Sequence, residues 1–161
     1  MSRTVGPDRA LPAAYAGLAL TIAAIVLLYV DHATGNVLAA HIRAGYPGYT
    51  TSRINHAVMI YLAYLSTLGG LGVLAWLGTI WMITRHRRLA RVLTTAAFVI
   101  ATGIALFNLM ITDTSGETGL PTMIGMAGLV PSVAGLAVVI MLWLRRRRPG
   151  TLHQLDLGGQ I

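Results

Sequence analysis

The sequence predicts an all-α integral membrane protein that folds as an antiparallel four-helix transmembrane bundle. Its 161 residues are 55% hydrophobic and only 11% charged, with a mean hydropathy of +0.69, whereas soluble globular domains carry about 25% charged residues. The charged residues lie at the ends of four apolar runs, each near or above the ~20 residues that cross the ~30 Å hydrocarbon layer of a bilayer. Composition and segment length therefore exclude an ordinary soluble domain.

Four predicted spans form a single membrane domain over residues 1–148. The spans are 13–30, 54–84, 92–111 and 121–144, and the polar, glycine-rich segment 149–161 is predicted to be a flexible cytoplasmic tail. The first span is interpreted as a retained helix, because no small-x-small cleavage site follows it as in a signal peptide.

The longest polar connection covers residues 31–52, between the first and second spans. Gly35 is expected to end the first span in the left-handed conformation, which glycine adopts without steric cost. A short interfacial helix is predicted at 37–44, and a turn rich in glycine and proline follows at 45–49. This connection is predicted to lie at the membrane surface.

Small residues recur at helical spacing along three of the spans. They are Ser66 and Gly70, then Ala97, Ala101 and Ala105, then Gly125, Gly128, Ser132 and Gly135. Small-xxx-small spacing lets two helix backbones approach closely in a membrane. Pro131 lies within the last of these runs and is expected to kink its helix. The pattern predicts tight helix packing within the bundle or against partner helices.

The arginines predict the orientation of the chain. Every basic residue other than histidine is an arginine, and the net charge is +7. Ten of the twelve arginines fall on the predicted side that holds both termini, and only Arg43 and Arg53 fall on the other, which we call the outer side. Because arginine-rich loops stay in the cytoplasm, both termini are predicted to be cytoplasmic in a multi-pass protein of a prokaryotic-type inner or plasma membrane. The arginines are thus assigned to the lipid bilayer as partner, and no nucleic acid is predicted.

A weak internal similarity suggests a duplication. The first span ends in Asp31 followed by small residues and Gly35, and the third ends in Asp113 followed by small residues and Gly116. Two helical hairpins in parallel repeat would produce this pattern. The alternative is that helix ends commonly have such sequences.

A polar pocket at the outer side is the principal functional hypothesis. Polar groups at membrane depth are costly and usually face the interior of a bundle, where they mark a site or a pathway. Histidine also titrates near physiological pH. We predict that the pocket binds a small ligand or ion, with transport or sensing favoured over catalysis. Its predicted residues are Asp31, His32, Asn55, His56, Asn108 and Asp113.

A membrane enzyme that acts on a lipid-soluble substrate is the first alternative. His56 would serve as general acid and base, and Asn108 or Arg53 would stabilise an oxyanion. The sequence contains no Walker loop, nucleotide-binding fingerprint, His-Glu-x-x-His or Gly-x-Ser-x-Gly motif. The catalytic residues therefore stay unassigned.

Two further alternatives concern cofactors and partners. The chain has no cysteine, which excludes disulfides, thiolate metal sites and iron–sulfur clusters. No cofactor or metal is predicted, although His32, His56 and Met59 could hold haem or copper if they converge. The glycine and alanine stripes could instead serve partner helices, in a homo-oligomer or in an accessory subunit of a larger membrane complex.

Overall fold

The structure, a computed structural model, describes residues 10–85, 87–113, 116 and 118–144. The described chain is helical and has no strand, which confirms the all-α class; one isolated bridge joins Thr112 and Thr118. The predicted tail at 149–161 lies outside the described residues. The five helices are α1 Ala10–Ala33, α2 Val37–Gly45, α3 Thr51–Arg85, α4 Arg87–Met110 and α5 Thr122–Leu144.

Four of the helices, α1, α3, α4 and α5, are long and apolar enough to cross a membrane. They overlap the four predicted spans, with the largest difference at α4, which begins at Arg87 instead of residue 92. Their surfaces carry many exposed Leu, Ile, Val and Phe side chains, such as Leu74, Phe107 and Val133. Apolar surfaces of this extent suit lipid better than water. By length and composition these helices fit a multi-pass membrane protein.

The helix α2 lies across one end of α3. It occupies the position of the predicted interfacial helix, and its buried residues Leu38, Ala39 and Ile42 face the core. The turn before it differs from the prediction at Gly35. Asn36, with φ 48°, takes the left-handed conformation there. Asparagine adopts this conformation more often than most residues that carry a Cβ atom, and here its side chain makes no capping bond to α2.

The four long helices contact one another in a ring. α1 packs on α3 and α5, α4 packs on α5, and a smaller interface joins α3 to α4. Within the described chain, α1 does not contact α4, and α3 does not contact α5. The ring is therefore least tightly closed between α3 and α4.

Two apolar clusters close the ends of this ring. The terminal cluster joins the beginnings of α1 and α4 to the ends of α3 and α5, through Ala10, Ala14, Ile83, Ala90, Val138 and Leu142. The loop cluster joins the buried side of α2 to the end of α1, the first half of α3 and Leu120. It contains Leu28, Leu38, Ala39, Ile42, Ile54, Val58, Leu62 and Leu120.

The α1–α3 interface is packed through glycines. The indole of Trp76 on α3 lies directly against Gly17 on α1. A Cβ atom added at Gly69 would lie 2.6 Å from Ile25 Cγ1, and one at Gly72 would lie 3.2 Å from Thr21 Cγ2. Real Cβ atoms essentially never come within 3.0 Å of another atom, so a side chain at Gly17 or Gly69 would force Trp76 or Ile25 to move. Gly70 belongs to the small-xxx-small pattern of α3, but a Cβ atom added there would have no neighbour within 4 Å.

A candidate ligand cavity in the bundle

A cavity of about 750 Å³ occupies the middle of the ring, and all four long helices contribute to its lining. Ligand pockets in proteins commonly measure about 300–1,000 Å³. The lining includes Leu28 and Leu120 of the loop cluster at one end, and it extends to Trp76, Thr79 and Thr94 towards the terminal cluster. The cavity therefore runs along the bundle between the two clusters.

Small residues on α4 and on the two helices beside it border the cavity. Ala97, Ala101 and Ala105 line it from α4, at the spacing that places residues on one helix face. The helices beside α4 contribute some residues that are equally short, including Ala75 on α3 and Gly128 and Ser132 on α5, together with large ones such as Leu71 and Met123. Short side chains on adjoining faces cannot fill the space that the helix backbones leave between them. The alanine stripe thus borders an open volume.

Exposed apolar residues form part of the lining on α3 and α4. Leu71 on α3 is 58% exposed and Ile100 on α4 is 62% exposed, although both line the cavity. These are the two helices that share the smallest of the four interfaces. Leu27 on α1 and Met123 on α5 are also exposed residues of the lining, so the lining reaches the apolar surface of the bundle on all four long helices.

Two polar groups in the lining already have protein partners. Thr21 donates its hydroxyl to the Gly17 carbonyl at 2.9 Å and accepts the Trp76 indole N–H at 3.0 Å. Asn108 Oδ1 accepts the hydroxyl of Tyr64 at 2.9 Å, which ties α4 to α3. No second bond joins the amide N–H groups of Asn108 to the part of the chain that the structure describes.

Two threonines in the lining differ from these groups. The hydroxyl oxygens of Thr94 and Thr102 are buried, and neither has a hydrogen-bond partner among the described residues. No pattern in the sequence distinguishes either residue. A threonine within a helix gives little signal, because its hydroxyl usually bonds to the carbonyl four residues earlier.

Pro131 also lies within α5 and lines the cavity, together with Ala127. Proline has no N–H, so the Ala127 carbonyl lacks the donor that the helix normally supplies. The kink that the sequence predicts at Pro131 stays a prediction.

The structure brings together two of the six predicted ligand-binding residues. Asp31 and Asn108 both line the cavity. Asp31 also has a local role, because its Oδ1 accepts the backbone N–H of Val37 at 3.2 Å at the beginning of α2. A carboxylate in that position stabilises the positive end of a helix dipole.

The other predicted residues lie outside the lining. His32, Asn55 and His56 are exposed, and Asp113 is half-buried and interacts electrostatically with Tyr61. Arg53 is exposed, with its guanidinium 4.6 Å from the centre of the Tyr49 ring, as in a cation–π contact.

The metal alternative receives no geometric support from acidic or imidazole clusters. In the described ranges, no three His, Cys, Asp or Glu side chains come together as a metal site. Met59, the third residue of that alternative, is exposed. The expectation of no cofactor and its haem or copper alternative both stay untested.

His41 links two parts of the chain at the end of the bundle where α2 lies. Its Nε2 lies 2.6 Å from the Thr118 carbonyl, so this nitrogen carries the proton and donates it. The bond joins α2 to the segment that precedes α5, across 77 positions of sequence. Such a pairing depends on tertiary structure, and no local pattern in the sequence indicates it.

We compared the chain with known protein families, curated proteins and solved structures. No family model, no curated protein and no solved structure matches this chain significantly. The functional assignment therefore rests on the geometry of the cavity and on the distribution of charge.

Proposed function

We propose that this chain is an inner-membrane protein, with both termini cytoplasmic and four antiparallel spans, that binds a lipid-soluble molecule in its central cavity. The observation that supports it most is the cavity itself, which lies between two packed clusters and has a mostly apolar lining. An apolar cavity with a few polar groups is the usual form of a small-molecule site. The proposed ligand is therefore apolar, whereas the sequence led us to expect a polar pocket for a small ligand or ion.

The arginines support the proposed orientation. Arg85 at the end of α3 and Arg91 in the first part of α4 lie beside the terminal cluster, at the end of the bundle where α1 begins and α5 ends. The loop end contributes only Arg43 and Arg53. The positive-inside rule then assigns the terminal cluster to the cytoplasmic side and α2 to the outer side.

The geometry favours binding over ion conduction. A conducting path would continue past Asn108 towards Thr67 and Gly70, but both residues are exposed and outside the lining. Ions also require polar ligands to replace their water, and most of the lining residues are Leu, Ile, Ala and Gly, which supply none. A lining that reaches the apolar surface of the bundle suits a hydrophobic molecule that enters from the lipid.

The enzyme alternative has less support. Of its three predicted residues, only Asn108 lines the cavity, whereas His56 and Arg53 are exposed elsewhere. A general base must come within hydrogen-bond reach of the group that it deprotonates. Catalysis in the cavity would therefore need a different base.

An accessory role has one specific observation in its favour. Gly70 and Gly103 are exposed, have no neighbour within 4 Å and lie outside the cavity lining. Exposed glycines on membrane helices permit close approach of a partner helix. Partner binding at these positions is compatible with a ligand in the cavity.

Quenching of Trp76 fluorescence tests the proposed function. The full chain carrying Trp81→Phe and Trp143→Phe retains one tryptophan, and that residue lines the cavity. A decyl-substituted benzoquinone, added to this protein in phosphatidylcholine nanodiscs, should quench it in a saturable manner. Quinone that is merely dissolved in lipid gives only a linear increase in quenching.

Two glycines provide a matched pair for this experiment. Gly128 lines the cavity and Gly103 does not, and a Cβ atom at either position meets nothing within 4 Å. Gly128→Val should weaken saturable quenching by about tenfold, because its side chain fills the site. Gly103→Val should leave the quenching unchanged. Linear quenching in the unmodified chain, or equal effects of the two substitutions, would contradict the proposal.

A further inference from the structure

Among the described residues, the lining of the cavity contains one charged side chain, that of Asp31 near the end of α1. Thr21, Ala24 and Leu28 also line the cavity, and successive members of this series are three or four positions apart in the sequence. Residues at that spacing lie on one face of a helix. Asp31 therefore continues the face of α1 that borders the cavity.

One oxygen of the Asp31 carboxylate is available to a ligand. Asp31 Oδ1 accepts the backbone N–H of Val37 at 3.2 Å. No group in the described part of the chain forms a hydrogen bond or an ion pair with the second oxygen, Oδ2. Asp31 is half-buried, and Oδ2 is not closed off from water as the hydroxyl oxygens of Thr94 and Thr102 are. Oδ2 is thus open to a molecule at the outer end of the cavity.

The charge of Asp31 indicates which head group fits at this end. No arginine or histidine of the described chain lines the cavity, so the carboxylate has no countercharge there. Asn108, a second polar residue of the lining, is uncharged and lies on α4, opposite α1 in the ring. A carboxylate that is partly removed from water interacts most favourably with a positively charged donor. An anionic head group would be repelled.

The rest of the lining on α1 fits an alkyl chain. Ala24, Ile25 and Leu28 lie between Thr21 and Asp31 and are apolar. Along the helix axis, Thr21 and Asp31 are about 15 Å apart, which is about half of the ~30 Å hydrocarbon layer of a bilayer. A chain that lies along α1 would bring the group at its end to Asp31, near the outer edge of the hydrocarbon.

We propose that Asp31 binds the ammonium group of a lipid-soluble amine whose alkyl chain occupies the cavity. The ammonium donates a hydrogen bond to Oδ2, and Oδ1 stays bonded to Val37. The alkyl chain is the apolar part that the cavity binds, and the ammonium lies at its outer end. This inference rests on the proposed function and assigns its ligand class.

Two competitors with the same chain and different head groups test this assignment. Decylamine, which is protonated at neutral pH, and 1-decanol are each titrated against the decyl-substituted benzoquinone in the Trp76 quenching experiment. Their concentrations are compared as mole fractions in the nanodisc lipid, because the two compounds partition differently. The amine should displace the quinone at about tenfold lower mole fraction than the alcohol, because a charge-assisted hydrogen bond is stronger than a neutral one.

Variants then locate the charge that is responsible. Asp31→Asn removes the charge and keeps the shape of the side chain, and its amide oxygen can still accept the Val37 N–H. The amine should therefore lose its advantage, while 1-decanol should displace the quinone about as well as before, which shows that the site is intact. Asp113→Asn is the matched control. Asp113 is a carboxylate on the same side of the bundle but outside the lining, so this variant should keep the preference for the amine.

The outcomes separate this inference from the proposed function. Equal displacement by the amine and the alcohol in the unmodified chain would overturn the amine assignment and leave the apolar site intact. A preference that persists in Asp31→Asn, or that is lost equally in Asp113→Asn, would overturn the role of Asp31. Failure of both compounds to displace the quinone would overturn the site and the assignment together.

Discussion

The α1–α3 interface and the inner face of α4 are both built from small residues, with opposite results. At the α1–α3 interface, Gly17 lies against the Trp76 indole and Gly69 against Ile25, so a large side chain fills each gap. On α4, Ala97, Ala101 and Ala105 border a cavity, which they share with other short residues such as Ala75 and Gly128. In this bundle, the same residue type is packed where a large side chain meets it and borders open space where none does.

The largest expected effect concerns the packed interface. Gly17→Val would push a side chain into the Trp76 indole, and overpacking of this kind should lower the free energy of unfolding by about 3 kcal/mol. Reversible unfolding in mixed micelles measures this change. Gly70→Val is the control, because Gly70 has no neighbour within 4 Å, and it should change stability by less than about 0.5 kcal/mol. Equal losses of stability in the two variants would contradict the claim that Gly17 is tightly packed and Gly70 is not.

A smaller effect of opposite sign is expected on α4. Ala101→Leu adds apolar atoms where the cavity is open, so it should raise the free energy of unfolding by about 1 kcal/mol. Ala96→Leu, on the exposed side of the same helix and outside the lining, should have little effect. A destabilised Ala101→Leu protein would mean that this face is already filled.

The smallest effect is expected where α3 and α4 meet. Tyr64→Phe removes the hydroxyl that donates to Asn108, and hydrogen bonds between membrane helices contribute about 0.6 kcal/mol on average. The same unfolding experiment should detect this loss. Tyr15→Phe, at an exposed position where the structure gives the hydroxyl no partner, should be neutral. A loss of several kcal/mol would show that α3 and α4 depend on this bond far more than their small interface indicates.

Local features of the sequence were sufficient for the four spans, because the length and hydropathy of a run need no knowledge of its neighbours. The turn before α2 was predicted one position early, since glycine and asparagine both tolerate the left-handed conformation and only the fold selects Asn36. Asp31 and Asn108 were recognisable as unusual polar residues at membrane depth. The predicted convergence of His32 and His56 with them stays untested.

The cavity itself could not be predicted from the sequence. Spacing shows that Ala97, Ala101 and Ala105 share a face, but not which residues adjoin that face. For the same reason, Gly69 and Gly72 could not be distinguished from Gly70 as the glycines that pack on α1. Thr94 and Thr102 resemble any helical threonine until the missing hydrogen bonds are seen.

The central claim is that the middle of the bundle is open and apolar, and a spin label on Ala97→Cys, a half-buried position in the lining, tests it most directly. The chain has no native cysteine, so the label is unique. Collisions with oxygen, which dissolves in lipid, should be frequent, and collisions with a water-soluble nickel chelate should be rare. Nickel collisions as frequent as those at Ala40→Cys, on the exposed face of α2, would indicate an aqueous path. Rare collisions with both reagents would indicate a filled core, and either result would contradict this account.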